Sequence, residues 1–96
     1  MKKYTPTKVD GNQRDIVLFL QAVGATVVDL HAVGKACPDL LVGWQGVNYL
    51  LEVKNPDGRN RLEEDQKGFF ASWKGRAPCV VRCIQDVQYV LGIKTV

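Results

Sequence analysis

Two short apolar runs meet at Gln45-Gly46: residues 39–44 (DLLVGW) and residues 47–54 (VNYLLEVK). A glycine beside a polar residue between two such runs marks a β-hairpin, although Gln-Gly is a weaker signal than Asn-Gly. In a symmetric turn Trp44 faces Val47. Counting back one residue at a time on each strand then sets Asp39 opposite Glu52. Side chains alternate along a strand, so Lys54 shares the face of Glu52. Directly opposed residues have Cβ atoms about 4.5–5.5 Å apart. Register alone thus gathers two carboxylates and an amine at the hairpin end away from its turn, where Leu or Val would pack better.

The rest of the chain supplies a scaffold for that hairpin. Residues 1–8, with Lys2, Lys3, Lys8 and Pro6, read as a flexible basic arm. Asp10 suits the N-cap of a helix running to about Val23, with Asn12, Ile16, Phe19, Leu20 and Val23 as its inward stripe and Gly24 as its stop. Residues 25–31 are β-branched and read as a strand, and 32–38 as a loop. After the hairpin comes a turn-rich basic stretch, 55–61. A second helix is predicted over 62–74, with Asn60 and Glu63 at capping-box spacing, Phe69, Phe70 and Trp73 on one face and Gly75 at its end. Residues 78–83 read as a fourth strand and 86–91 as a last short helix. The order αβββαβα, a hairpin plus a strand returning after a helix, predicts a single α/β domain with a mixed sheet and helices on its faces.

Size and composition bound the function without choosing it. At 96 residues the chain holds one small core. A formal charge of +3 permits a nucleic-acid partner without demanding one. Cys37, Cys79 and Cys83 lack CxxC spacing and His31 is the only histidine, which argues against structural zinc. Free thiols suit a reducing cytoplasm better than a disulfide framework. No signal peptide and no apolar run of membrane-spanning length is expected.

Two facing carboxylates repel, and in an apolar setting one takes up a proton. A divalent cation between them removes that cost, and hard oxygen donors suit Mg²⁺ or Mn²⁺. Such an ion can lower the pKa of water and polarise a phosphoryl oxygen. Lys54, one strand repeat beyond, could orient the attacking water or offset charge on a phosphate transition state. The same three residues also suit a solvated salt-bridge cluster at a strand end. The matched register and Pro38 before Asp39 favour a site for phosphodiester hydrolysis.

Pro38-Asp39 followed by Glu52-Val53-Lys54 resembles the PD-(D/E)xK nuclease signature. More narrowly, the segments HAVGKACPDLLVG, NYLLEVK, EEDQKGFF and APCVVRC resemble the VRR-NUC group in its small stand-alone form from bacteriophages and bacteria, with Ala36 where many relatives have Gly. The resemblance implies a restriction-endonuclease-like αβββαβ core with a mixed central sheet flanked by helices. It implies Asp39, Glu52 and the backbone carbonyl of Val53 as metal ligands, and Lys54 as the catalytic lysine. Asp15 stands where the family often carries an acidic residue, and equally suits a solvated helix face. Gln66 matches a glutamine that faces the site in relatives, and equally suits an ordinary polar helix position.

Lys35, Arg59 and Arg61 lie in the loops flanking the site and could neutralise DNA phosphates. His31 reads as a structural histidine. Trp44 at the hairpin tip and Trp73 read as core or interface groups rather than base-stacking ones. The leading function is a metal-dependent DNA endonuclease, structure-specific for branched or four-way-junction DNA as the resemblance implies. The aromatic set Trp44, Phe69, Phe70 and Trp73 exceeds what one small core hides, so a two-fold homodimer is expected. A non-catalytic DNA-binding module, or a nuclease subunit of a phage replication or recombination assembly, are the alternatives.

Overall fold

The structure is a computed structural model that describes residues 11–57 and 61–94. The basic arm at 1–8, the Asp10 cap, Asn60 and Arg59 lie outside the described residues. The chain runs α1 (Gly11–Ala22), β1 (Thr26–Asp29), a 3-10 turn (His31–Val33), β2 (Leu40–Trp44), β3 (Val47–Val53), α2 (Glu64–Ser72), β4 (Cys79–Val81) and α3 (Ile84–Leu91). The four strands form one sheet in sequence order. β1 and β3 flank β2 antiparallel, and β4 adds parallel to β3 after the α2 crossover. The sheet is mixed, as the element order predicts.

The hairpin adopts the expected register. Trp44 pairs with Val47 and Leu40 with Leu51. The turn residues Gln45 and Gly46 have φ of 49° and 78°, the positive values a type I′ turn requires at both central positions. For Gln45 that conformation is strained, because its Cβ crowds the following carbonyl.

Strand alternation then sorts the sheet into two faces. Leu40, Val42, Tyr49, Leu51, Val53 and Val81 point into the core, where they meet Ile16, Val17 and Leu20 of α1 and Val87 and Leu91 of α3. Both helices lie on this face, α1 against β1 and α3, and α3 against β4. Glu52 and Lys54 alternate to the opposite face, which α2 reaches. None of the α2 side chains is fully buried. Among the described residues, no helix is long and apolar enough to cross a membrane.

Several boundaries and faces shift from expectation. α1 turns Gln13 and Val17 inward in addition to Ile16 and Leu20, while Phe19 and Val23 pack at the core margin. Gly24 ends α1 with φ 92°, as predicted, in a Schellman arrangement: its N–H donates to Gln21 O and that of Ala25 to Leu20 O. The last strand stops at Val81, because Arg82 N–H turns to the Asp86 carboxylate and Cys83 caps α3. The capping box of α2 forms one turn later than expected, between Glu63 and Gln66. Trp44 follows Leu40 and Val42 on the inward-facing side and packs half-buried against the core, while Gln45, Gly46, Val47 and Asn48 at the hairpin tip are exposed.

The turn strain is testable. Gln45→Asn supplies the residue that tolerates positive φ best after glycine, and is expected to raise unfolding free energy by roughly 0.5–1 kcal/mol in chemical denaturation. An unchanged or lower stability would mean that the hairpin turns differently.

Candidate metal and phosphate site

Glu52 sits near the end of β3 with only 4% of its surface exposed, and Lys54 follows at 7%. β3 is an interior strand, paired with β2 on one side and β4 on the other, and Gln66 of α2 lies against both side chains on the sheet face they share. One carboxylate oxygen of Glu52, Oε2, is held twice. Lys54 Nζ approaches it at 3.3 Å and Gln66 Nε2 donates to it at 3.1 Å. Lys54 Nζ also donates to Gln66 Oε1 at 3.1 Å, closing a ring of three side chains. The second oxygen, Glu52 Oε1, is buried and has no hydrogen-bond partner.

Asp39 lies beside the Glu52 carboxyl. It stands one residue beyond the Leu40–Leu51 pair, which makes Glu52 its opposite number. Its Oδ2 accepts the N–H of Val53 at 2.8 Å, and its own carbonyl accepts the N–H of Leu30 at 2.8 Å. The carboxylate is thus fixed across the mouth of the hairpin. Burial, then the Asp39 carboxylate, drives the Glu52 pKa up from 4.5 to about 7, against the opposing pull of Lys54. A hydrogen bond between the two carboxyls adds to the rise. Burial, followed by the charges of Asp39 and Glu52, also pushes the Cys37 thiol up.

The structure therefore brings together Asp39, Glu52, Lys54 and Gln66, with Val53 between the two buried charges. Asp15 is exposed on α1, and among the described residues no group of three His, Cys, Asp or Glu side chains is poised around a common metal position. Lys35 and Arg61 are exposed in the flanking loops, and Arg59 falls outside the described residues. His31 is exposed, its N–H donating to Asp29 Oδ1 at 2.7 Å, a local turn contact.

Two residues that the sequence does not assign to the site, Asn12 of the inward stripe and Arg82, hold it in place. Asn12 Nδ2 donates to Lys54 O at 2.8 Å and to Arg82 O at 3.0 Å, stapling the ends of β3 and β4 to the start of α1. Arg82 Nη1 donates to Asn55 O at 2.7 Å and so ties down the chain just after Lys54. The available signal for Asn12 was its polarity within an otherwise apolar stripe. Arg82 carried none, because a cation at a strand end usually faces water.

The oxygen donors fit a hard divalent cation. Asp39 and the unpartnered Glu52 Oε1 are its side-chain ligands in that case, with the Val53 carbonyl and water as further oxygens. Without a cation a proton takes the same place, and that has a measurable consequence. Between pH 4.5 and 7 the folded protein holds a proton on Glu52 that the unfolded chain has released. The stabilisation is complete below the unfolded value and is lost as pH rises through the folded one. Metal-free protein should therefore lose about 1–3 kcal/mol relative to Glu52→Gln on going from pH 4.5 to 8. Thermal melts of both proteins in chelator across that range check this, and parallel profiles would remove the raised Glu52 pKa.

Compared with known proteins, the chain matches no family model, no curated protein and no solved structure.

Proposed function

We propose that this protein is a metal-dependent DNA endonuclease with a restriction-endonuclease-like core of the VRR-NUC type. The observation that carries the reading is the divided Glu52 carboxylate. One oxygen is locked by Lys54 and Gln66, and the other accepts no hydrogen bond, so that only a shared proton joins the Glu52 carboxyl to Asp39. A purely structural salt bridge gains nothing from a second carboxylate pressed against the first, since the two repel unless a proton or a cation lies between them. The solvated-cluster alternative fails on burial, because both Glu52 and Lys54 lie inside the molecule. The element order αβββαβα is compatible with the proposed fold.

Asp39 and Glu52 would hold Mg²⁺ or Mn²⁺, which supplies Lewis acidity toward a phosphoryl oxygen and acidity to water at the site. The chain's own residues do the positioning. Gln66 holds Glu52 and Lys54 in a fixed mutual geometry through the two ends of its amide. An ammonium has three donors, and two of them point at Glu52 and Gln66. The third is available to orient a water or to neutralise charge developing on the phosphate. Asn12 and Arg82 keep the backbone of Lys54 from drifting, which matters because small misplacements lower rates sharply. Lys35, Arg59 and Arg61 are proposed phosphate contacts. A two-fold homodimer presenting two such sites to one branched DNA remains part of the proposal.

Purified protein offered linear duplex, flap and four-way-junction DNA with Mg²⁺ or Mn²⁺ should cut at least one of them, and none in chelator. Asp39→Asn, Glu52→Gln and Lys54→Met should each lower the rate by about 100-fold or more. Cleavage near the wild-type rate by any of the three variants would exclude that residue from the chemistry. Failure to cut any substrate with either metal would overturn the proposal.

A further inference from the structure

Resting on that reading, we infer that Trp73 is a stacking platform for an unpaired nucleotide, carried on the side of α2 that also brings Gln66 to the acid pair. Gln66, Phe69, Phe70 and Trp73 follow the i, i+3, i+4, i+7 spacing of one helix face. Trp73 thus stands on the side of α2 that carries Gln66 to Glu52 and Lys54. Seven residues of helix place it roughly 10 Å along the axis from Gln66. That distance is within reach of a nucleotide adjoining a phosphate held at Asp39 and Glu52.

The indole is held ready rather than buried. It is 47% exposed, although its neighbours Phe69 and Phe70 are half-buried. The Phe69 ring supports it from one side, with centroids 5.1 Å apart and planes 13° from parallel. Gly75 makes room for it. A Cβ at that position would lie 2.8 Å from the indole Nε1, so no other residue allows the ring this placement without movement. The sequence reading gave Gly75 the task of closing α2, but the helix ends at Ser72 and turns out through an extended Trp73. The glycine serves the indole instead.

Charge selects the occupant. Lys74 and Arg76 are exposed directly after the indole. The Arg76 guanidinium is engaged 4.5 Å from the ring of Tyr49, a core-facing residue, so Lys74 is the cation on offer beside the indole. The acidic residues Glu63, Glu64 and Asp65 sit at the other end of α2, and Lys67 is already paired with Glu64 at 3.1 Å. An anionic strand crossing the acid pair is therefore drawn toward the Trp73 end and repelled from the other. An aromatic surface next to cations is the combination that binds single-stranded nucleic acid, because every base has a face to stack. Bases within a duplex keep their faces covered by neighbours, so Trp73 selects DNA with unpaired nucleotides near the cut.

The test measures binding without cleavage. In a Glu52→Gln background with chelator, fluorescence anisotropy follows a labelled 12-nucleotide oligothymidylate and a 12-base-pair duplex. Trp73→Ala should weaken oligothymidylate binding about ten-fold and duplex binding less than two-fold. Trp73→Phe should retain most of the affinity. Gly75→Ala, which displaces the indole without removing it, should also weaken the single strand selectively. No binding of oligothymidylate, or equal affinity within two-fold for Trp73→Ala, would overturn the inference. So would a Trp73→Ala protein whose light-scattering mass falls from dimer to monomer with single-strand affinity intact, which would assign the indole to a second copy of the chain. Trp73-dependent binding by a protein that never cuts DNA would retain this inference and remove the nuclease reading. Normal cutting by Trp73→Ala, with unchanged oligothymidylate affinity, would do the reverse.

Discussion

A buried carboxylate held by two donors on one oxygen and crowded by a second carboxylate is the constraint around which this small domain is arranged. Glu52 cannot retreat to water, because it stands on an interior strand against Gln66 of α2 with 4% of its surface exposed. It cannot simply be neutralised by Lys54, because the ammonium shares itself with Gln66 and Asp39 adds a second negative charge. Removing one partner from such a cluster is costly, whereas an apolar substitute for the whole set would often be neutral or stabilising. A fold that keeps the arrangement is accepting local instability, and that pattern fits a site better than a strut.

The scaffold delivers the cluster by separable means. The type I′ turn sets the register that opposes Asp39 to Glu52. The core under α1 and α3 fixes which face Leu51 and Val53 occupy, and so forces Glu52 and Lys54 to the other. Asn12 closes the strand ends by satisfying two carbonyls from one amide. α2 has no fully buried residue and is tied to the site by Gln66, whose oxygen both completes the helix cap and receives Lys54. Helix and site are thus linked through a single amide. That linkage explains why the cap forms at Glu63, where Gln66 can serve both roles.

How much of this could be read in the sequence follows from range. The hairpin register was legible because a turn of two residues and the strict alternation of strands determine it locally. Asp39, Glu52 and Lys54 could be gathered by counting. Gln66 was drawn only from resemblance, since nothing local says that α2 returns across the sheet to meet β3. Asn12 and Arg82 were missed for the same reason. Their partners lie 42, 70 and 27 residues away, and a polar side chain bonding to backbone leaves no complementary partner to search for. The faces of Trp44 and Trp73 were the least legible. Trp44 continues the inward alternation of Leu40 and Val42, which counting could have shown. Trp73 keeps the helical side of Phe69 and Gln66 yet stays exposed, because the chain after it leaves the helix through an extended ψ, which residue type alone does not specify.

The central claim is that the place between Asp39 and Glu52 holds either a proton or a divalent cation. Calorimetric titration of Mn²⁺ in buffers of differing ionisation enthalpy counts the protons released on binding. With a Glu52 pKa of about 7, binding near pH 6 should release about one proton, falling toward none above pH 8, and Glu52→Gln should release none. Mn²⁺ binding that releases no proton at pH 6, or no Mn²⁺ binding at all, would contradict it.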